Sequence, residues 1–265
     1  MLWKKIIRNK YKSIAAILLL LLLADGLTHK GLVRVLLPAS FADTAIRPVA
    51  PKEKVHFISS GKQWTKAVNT VDLVQELDAS VPGFECDVYY DTAKHLFDVH
   101  HDADKSKGNS LDMILQASQA KKLDVSIWLD FKNCDTLNNK PALQTLLQLR
   151  DRYKLQDKIL VESGNIGALE VFADSGFFTS YYTPFFNPYL SGKDSLRQWG
   201  QRISEKLAAS KVSALSGYYF QYPFLKATFP EFPILTWSPK NQFSLVSWLY
   251  NRKINADPAV LINLR

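Results

Sequence analysis

The chain has 265 residues, of which 47% are hydrophobic, with 15 Phe, 11 Tyr and 6 Trp. That is ample for one large packed core and excludes a disordered chain. The formal net charge of +8 would suit a nucleic-acid binder, but five of the basic residues (Lys4, Lys5, Arg8, Lys10 and Lys12) sit in the first twelve positions, which hold no acid. The rest carries 28 basic against 25 acidic residues, without the dense basic stripe that would make nucleic acid a partner.

The basic leader, residues 1–12, precedes an uninterrupted apolar run, Ile14–Ala24, closed by Asp25-Gly26. Eleven residues match the apolar core of a secretory signal and fall short of the roughly 20 that span a bilayer. The stretch 31–39 is apolar apart from Arg34 and extends or flanks an anchor, which gives a membrane segment at 13–37. Ser40-Phe41-Ala42 has the residue types of a cleavage site but lies far downstream of the run, so a retained anchor is favoured over cleavage and secretion. In both cases the basic side stays cytoplasmic and the body is exported to the periplasmic or extracellular side. Residues 38–54, with Pro38, Pro48 and Pro51, read as a linker to a domain at 55–265.

Within that domain short apolar runs predict strands at 62–67, 84–90, 125–132, 158–162, 177–182, 215–220, 233–237 and 259–263. Helical spacing predicts helices near 70–80, 109–121, 141–154, 165–175, 194–210 and 241–252. Eight strands with helices between most pairs suit a (β/α)8 TIM-type barrel, an α/β fold, better than a doubly wound sheet, which no glycine-rich phosphate loop supports. The connection Tyr89–Phe97 is too short for a helix, so residues 84–101 are expected to form a β-hairpin extending the second strand. It would bring His100 and His101 over the mouth of the barrel. Cys86 and Cys134, the two cysteines, read as buried and unpaired; Cys86 alternates with Glu85 and Asp87 and should point away from them.

The chemistry concentrates on two strands. In Gly83-Phe84-Glu85-Cys86-Asp87 the carboxylates of Glu85 and Asp87 project from one face, since residues two apart in a strand point the same way. Trp128-Leu129-Asp130-Phe131-Lys132 repeats the device with Asp130 and Lys132. Like charges so close in a folded core need a cation, and three carboxylates beside an ammonium suggest a divalent-cation site next to an anion. A glycoside hydrolase would also use paired carboxylates, but Glu85 and Asp87 on one face of one strand are too close for the roughly 5 Å that reaction needs.

The pattern Glu-x-Asp-Val, a hairpin ending Val-x-His, and Asp-x-Lys on the next strand resembles the phospholipase C-like phosphodiesterase superfamily, of which glycerophosphodiester phosphodiesterases are one branch. The stretches 64–70, 83–91, 97–101, 128–133, 161–163 and 179–182 resemble its menorin-like branch more closely. The resemblance implies a barrel over residues 62–263 and a metal-dependent phosphodiesterase acting on a small phosphodiester or lipid-derived ligand. It implies Glu85, Asp87 and Asp130 as ligands of a divalent cation, for which oxygen donors suit Mg²⁺ or Ca²⁺. Lys132 would contact the phosphate and His101 would act as general acid. Where such enzymes carry a second catalytic histidine this chain has Lys66, and lysine at its ordinary pKa of about 10.4 is a poor general base. The alternative is therefore a ligand-binding or scaffold barrel that has lost catalysis.

Each residue also has a plainer role open to it. Glu85 and Asp87 could pair with basic residues at a barrel end, His101 could cap the hairpin, and Lys132 could be a counter-ion to Asp130. Glu162 and Trp237 suit a pocket wall or the core. Tyr181 and Tyr182 read as packing residues. The aromatic run Tyr218–Phe224 reads as core or as an apolar rim facing lipid.

Overall fold

The structure, a computed structural model, describes residues 2–41, 46, 48–238 and 243–265, with side chains from residue 10 onward. Ala42 of the predicted cleavage triplet, residues 42–45 and 47 of the predicted linker, and the first two residues of the predicted helix 241–252 lie outside the described residues.

Two helices, α1 (Leu2–Thr28) and α2 (Lys30–Leu36), precede the domain. Then follow β1 (Gln63–Trp64), α3 (Val71–Glu76), the hairpin β2 (Gly83–Asp91) and β3 (Leu96–Val99), α4 (Leu111–Ala120), β4 (Ser126–Phe131), α5 (Asn139–Arg152) and β5 (Ile159–Ser163). A short 3-10 turn, Ile166–Leu169, leads into α6 (Glu170–Asp174). The chain continues through β6 (Phe178–Tyr182), α7 (Lys193–Ala208), β7 (Ala214–Tyr218), α8 (Tyr222–Thr228), β8 (Ile234–Trp237), α9 (Leu245–Ala256) and β9 (Val260–Leu264). All eight predicted strands are present, and β3 is the return strand of the predicted hairpin.

Among the described residues the sheet runs β1-β9-β8-β7-β6-β5-β4-β2-β3, parallel throughout except for the antiparallel β2–β3 pair. The circle closes between its first and eighth members through a parallel bridge of Thr65 with Phe84. There Thr65 N–H donates to Gly83 O at 3.1 Å and Glu85 N–H to Thr65 O at 2.9 Å. The fold is thus an eight-stranded α/β barrel carrying one extra hairpin strand. Gly83 is required at the seam, because a Cβ there would lie 2.5 Å from the indole of Trp64. Helix starts follow local chemistry: Thr70, Ser110 and Ser244 each accept a bond from the backbone N–H three residues on.

Two apolar layers hold the barrel. Between sheet and helices lie side chains such as Phe84, Val88, Phe131, Leu146, Phe172 and Phe224. Inside the lower barrel Trp64, Trp128, Leu160, Leu235 and Ile262 form a floor. The incoming segment closes that floor from below, with Phe57 stacked on Phe178 at 4.8 Å. The predicted strands 62–67 and 215–220 are shorter in the structure. The first peels inward after Trp64, and the second stops at Tyr218 before α8, whose seven residues are too few for a visible helical period. Tyr222 and Phe224 on α8 are buried core residues.

The stretch 30–36, within the predicted membrane segment 13–37, packs on the barrel. Leu32 and Val35 are each 1% exposed and belong to the main core, as does Phe41. Burying each of the first two contributes about 1.5–3 kcal/mol. Gly31 meets Tyr219, and Lys253 on α9 donates to Val35 O at 2.7 Å. At the other end Asp25 accepts from Val246 N–H at 3.1 Å, and His29 lies 3.3 Å from Ser244 Oγ. Upstream, residues 14–23 of α1 are exposed, and the 19-residue stretch Lys10–Thr28 is long and apolar enough to cross a membrane.

Candidate active site

Because the eight barrel strands run the same way, their carboxyl ends open on one face. Parallel pairing puts Asp87 of β2 beside Asp130 of β4, and Asp130 beside Glu162 of β5. Neighbours so paired point the same way, so three carboxylates form one tier across adjacent strands. Glu85 stands two residues lower on the same face, and its longer side chain reaches the tier. One oxygen each from Glu85, Asp87 and Asp130 lies within 4.8 Å of the others. These residues, Lys66, His101, Lys132, Glu162 and Trp237 line one cavity of about 150 Å³. The structure brings all eight predicted site residues together.

The backbone after β1 positions the first carboxylates. Lys66 N–H is held by Arg265 O at 2.9 Å, and the chain then turns inward through Ala67, whose φ of 57° is in the left-handed region. For a residue with a Cβ that conformation costs about 1–3 kcal/mol, a kind of strain that gathers at functional sites. The turn aims the Ala67 N–H at Glu85 Oε2, 2.5 Å away, and brings Asn69 against Asp87. Asn69 Nδ2 donates to Asp87 Oδ2 at 2.6 Å, while Asn69 Oδ1 accepts from the Asp87 N–H at 2.9 Å. Asn69 is thus a two-point clamp on a candidate metal ligand, the kind of outer partner that orients ligands in metal sites. The sequence pattern assigns it no role.

Lys132 meets the tier from above. Its Nζ lies 2.7 Å from Asp87 Oδ1 and 2.5 Å from Asp130 Oδ2, leaving a third N–H for the cavity. Burial alone would lower the pKa of this ammonium, but Asp130 and Asp87 outweigh burial and raise it. Glu85, 2% exposed, is pushed up to about 8 by burial and then by the charges of Asp87 and Asp130. Burial, partly offset by Lys132, raises Asp130, and burial followed by the charge of Asp130 raises Glu162 well above the usual carboxylate range. The cluster therefore sets four carboxylates against the ammonium groups of Lys132 and Lys66, and burial with mutual repulsion pushes Glu85, Asp130 and Glu162 up.

The fit of a cation can be judged from these donors. Three oxygens within 4.8 Å, no sulfur or nitrogen, and a buried carboxylate held protonated are what a hard divalent ion would complete. Glu162 Oε2 is buried at the cavity without a hydrogen-bond partner among the described residues, which leaves an unused carboxylate acceptor there. The residues present fit the ion.

The opposite wall is aromatic. Trp237 packs 4.9 Å from Tyr218 and 5.6 Å from Tyr182, and Lys66 Nζ sits 5.5 Å from the Trp237 ring centre. Tyr182, expected to be a packing residue, lines the cavity with Tyr218. Tyr181 faces the helices, where Lys206 bonds its hydroxyl. Nothing in the sequence separates such wall residues from core aromatics.

Of the two hairpin histidines expected over the mouth, only His101 lines the cavity. His101 is exposed at the cavity, with Nδ1 2.8 Å from Asp102 Oδ1. His100 is buried, stacked on Tyr89 at 4.4 Å and bonded to Asp102 O. His56 lies at the far end of the barrel beside Asp157. Cys86 points away from the cavity with Sγ on Val68 O, and both cysteines are buried and free.

No family model matches the chain, and no curated protein matches it. Solved structures do. A glycerophosphodiester phosphodiesterase from Parabacteroides distasonis is 16% identical, covering 78% of this chain and 92% of its own, with a TM-score of 0.51. A phosphodiesterase from Oleispira antarctica, solved with the product sn-glycerol-3-phosphate, is 15% identical, covering 76% and 92%, at 0.51. A protein named as a glycerophosphoryl diester phosphodiesterase from Silicibacter pomeroyi is 14% identical, covering 79% and 91%, at 0.54. The chain has the barrel fold of the glycerophosphodiester phosphodiesterases.

Proposed function

We propose that the protein is a membrane-tethered, divalent-cation-dependent phosphodiester hydrolase, a diverged relative of the glycerophosphodiester phosphodiesterases within the menorin-like branch. The observation that carries this is the convergence of Glu85, Asp87 and Asp130 beside Lys132 and Lys66 in one cavity of about 150 Å³ at the barrel mouth. Glu85, Asp87 and Asp130 would hold Mg²⁺ or Ca²⁺. Such an ion, when bound, would offset charge on the phosphoryl oxygens and lower the pKa of a hydroxyl nucleophile. The third N–H of Lys132 and the ammonium of Lys66 add positive charge where the phosphate would sit. His101, exposed at the rim and paired with Asp102, would protonate the departing alkoxide. Glu162 and the Trp237 wall would shape the remainder of the pocket for a small phosphodiester or lipid-derived ligand.

One observation favours a second reading. Lys66 stands where related enzymes are expected to carry a histidine, and its placement over Trp237 suits holding an anion without proton transfer. In that case the barrel binds a phosphodiester and does not cleave it. The tether is supported by the exposed apolar helix Lys10–Thr28, with the basic leader on the cytoplasmic side and the barrel exported. Retention of the leader is supported by packing, because cleavage after residue 42 would remove Leu32, Val35 and Phe41 from the core.

The test uses the full chain, since its N-terminal helices contribute to the core. Hydrolysis of a panel of glycerophosphodiesters is measured with and without Mg²⁺ or Ca²⁺, alongside Asp87→Asn. Cation-dependent turnover lost in the variant is the expected result. Cation binding without turnover would establish the ligand-binding reading, and absence of cation binding would overturn the carboxylate assignment.

A further inference from the structure

The way the N-terminal helices sit on the barrel determines which end of it would meet a membrane. Helix α9 follows β8, so its first turn, at Ser244–Val246, lies at the carboxyl ends of the strands, the same end as the cavity. Asp25 and His29 contact that first turn, whereas Val35 contacts Lys253 near the last turn. Helix α2 therefore runs parallel to α9, from the mouth toward the floor. The backbone bonds His29 N–H to Asp25 O and Val33 N–H to His29 O carry helical pairing across the junction. Residues before Asp25 accordingly project beyond the mouth, where residues 14–23 are exposed.

Length then sets depth. The 19 residues Lys10–Thr28 measure about 28 Å as helix, close to the ~30 Å hydrocarbon thickness of a bilayer. Using that length puts Thr28 at the lipid interface, and Asp25 and His29 already touch the first turn of α9. A span that is barely long enough draws the attached barrel end down to the headgroups.

The surface at that end suits the position. Six large apolar side chains outside α1 are more than half exposed among the described residues, and five of them lie at the mouth. They are Leu137 after β4 (87%), Phe185 and Leu190 after β6 (64% and 72%), Phe243 after β8 (98%) and Trp248 on α9 (54%). The sixth, Leu37, ends α2 at the floor. Loops after three alternate strands thus present apolar tips on one side of the molecule. Trp248 also carries Arg252 against its ring, an aromatic and cationic pair of the kind found at lipid interfaces.

Resting on the tether in the reading above, we propose that the mouth of the barrel lies on the outer face of the same bilayer that α1 crosses. The apolar tips of the loops after β4, β6 and β8, with the start of α9, enter the headgroup layer. The cavity would then draw its phosphodiester from the membrane surface.

The full chain, reconstituted in vesicles of phosphatidylcholine and phosphatidylglycerol, is labelled with a nitroxide at single introduced cysteines. Native Cys86 and Cys134 are buried and stay unlabelled. Positions are Leu19→Cys in the span, Leu190→Cys and Phe243→Cys at the rim, and Gln156→Cys in the loop before β5 at the floor. Accessibility to oxygen, which partitions into lipid, is compared with that to a water-soluble nickel chelate. The expected result is lipid exposure at 19, 190 and 243, and water exposure at 156. Lipid exposure at 19 with 190 and 243 as water-exposed as 156 would overturn the mouth-down arrangement alone. Water exposure at 19 as well would remove the tether and the proposal together. Dipolar coupling between rim labels of separate copies, in place of lipid contact, would assign this face to self-association and overturn it too.

Discussion

If Glu85 is a cation ligand as proposed, binding of a divalent cation should release a proton from it. Burial and the adjacent Asp87 and Asp130 hold the Glu85 carboxyl protonated to about pH 8 in the ion-free protein, whereas in an unfolded chain it ionises near 4.5. A ligand must be ionised, so below pH 8 each ion bound at this carboxylate displaces one proton, and affinity should rise about tenfold per pH unit from about pH 5 to pH 8. The same shift has a sign for stability. Between those two values the folded ion-free protein binds more protons than the unfolded one, so its stability falls as pH rises, by up to about 1.4 kcal/mol per pH unit. Adding the ion should restore stability most at the alkaline end. The assay is titration calorimetry with Mg²⁺ or Ca²⁺ in buffers of different ionisation enthalpy, where the dependence of heat on buffer counts protons. About one proton at pH 6–7, falling toward none above about pH 9, is the expected result. Glu85→Gln should bind the ion more weakly and without the pH slope. Tight ion binding with no proton release at pH 6–7 would show that Glu85 is either ionised beforehand or not a ligand.

Other changes test separate parts of the site. Lys66→His should raise turnover of a glycerophosphodiester if the remaining groups are competent; unchanged zero activity with intact ion binding would favour the binding barrel. Asn69→Ala removes both bonds to Asp87 and should weaken ion affinity about 10- to 100-fold, measured by the same calorimetry, with little change at the Lys132 pairs. Gly83→Ala places a Cβ against the buried Trp64 indole at the barrel seam and should lower the unfolding free energy by about 1–3 kcal/mol in a urea titration, without altering the ligand set.

The shared face of Glu85 and Asp87, and of Asp130 and Lys132, was readable because the two-residue period of a strand is a local property of the backbone. The same holds for the eight short apolar runs and for the tight hairpin that carries His101. Helix α8 was not readable, since seven residues beginning Tyr-Pro show no period, and neither was the inward turn at Ala67. Tyr182 and Tyr218 look like core aromatics until the barrel curves and turns them onto a cavity.

Which residues lie on strands, and which face each side chain takes, follow from near neighbours in the chain. The remaining features arise from contacts between distant segments. The parallel register that levels Asp87 with Asp130 and Glu162, and the closure of the sheet at Thr65, depend on pairing between strands far apart in sequence. The clamp of Asn69 on Asp87 and the placement of α2 along α9 depend on which surfaces remain to be buried once the barrel has closed. Such pairings are chosen by packing over the whole molecule, and no short window of sequence records them.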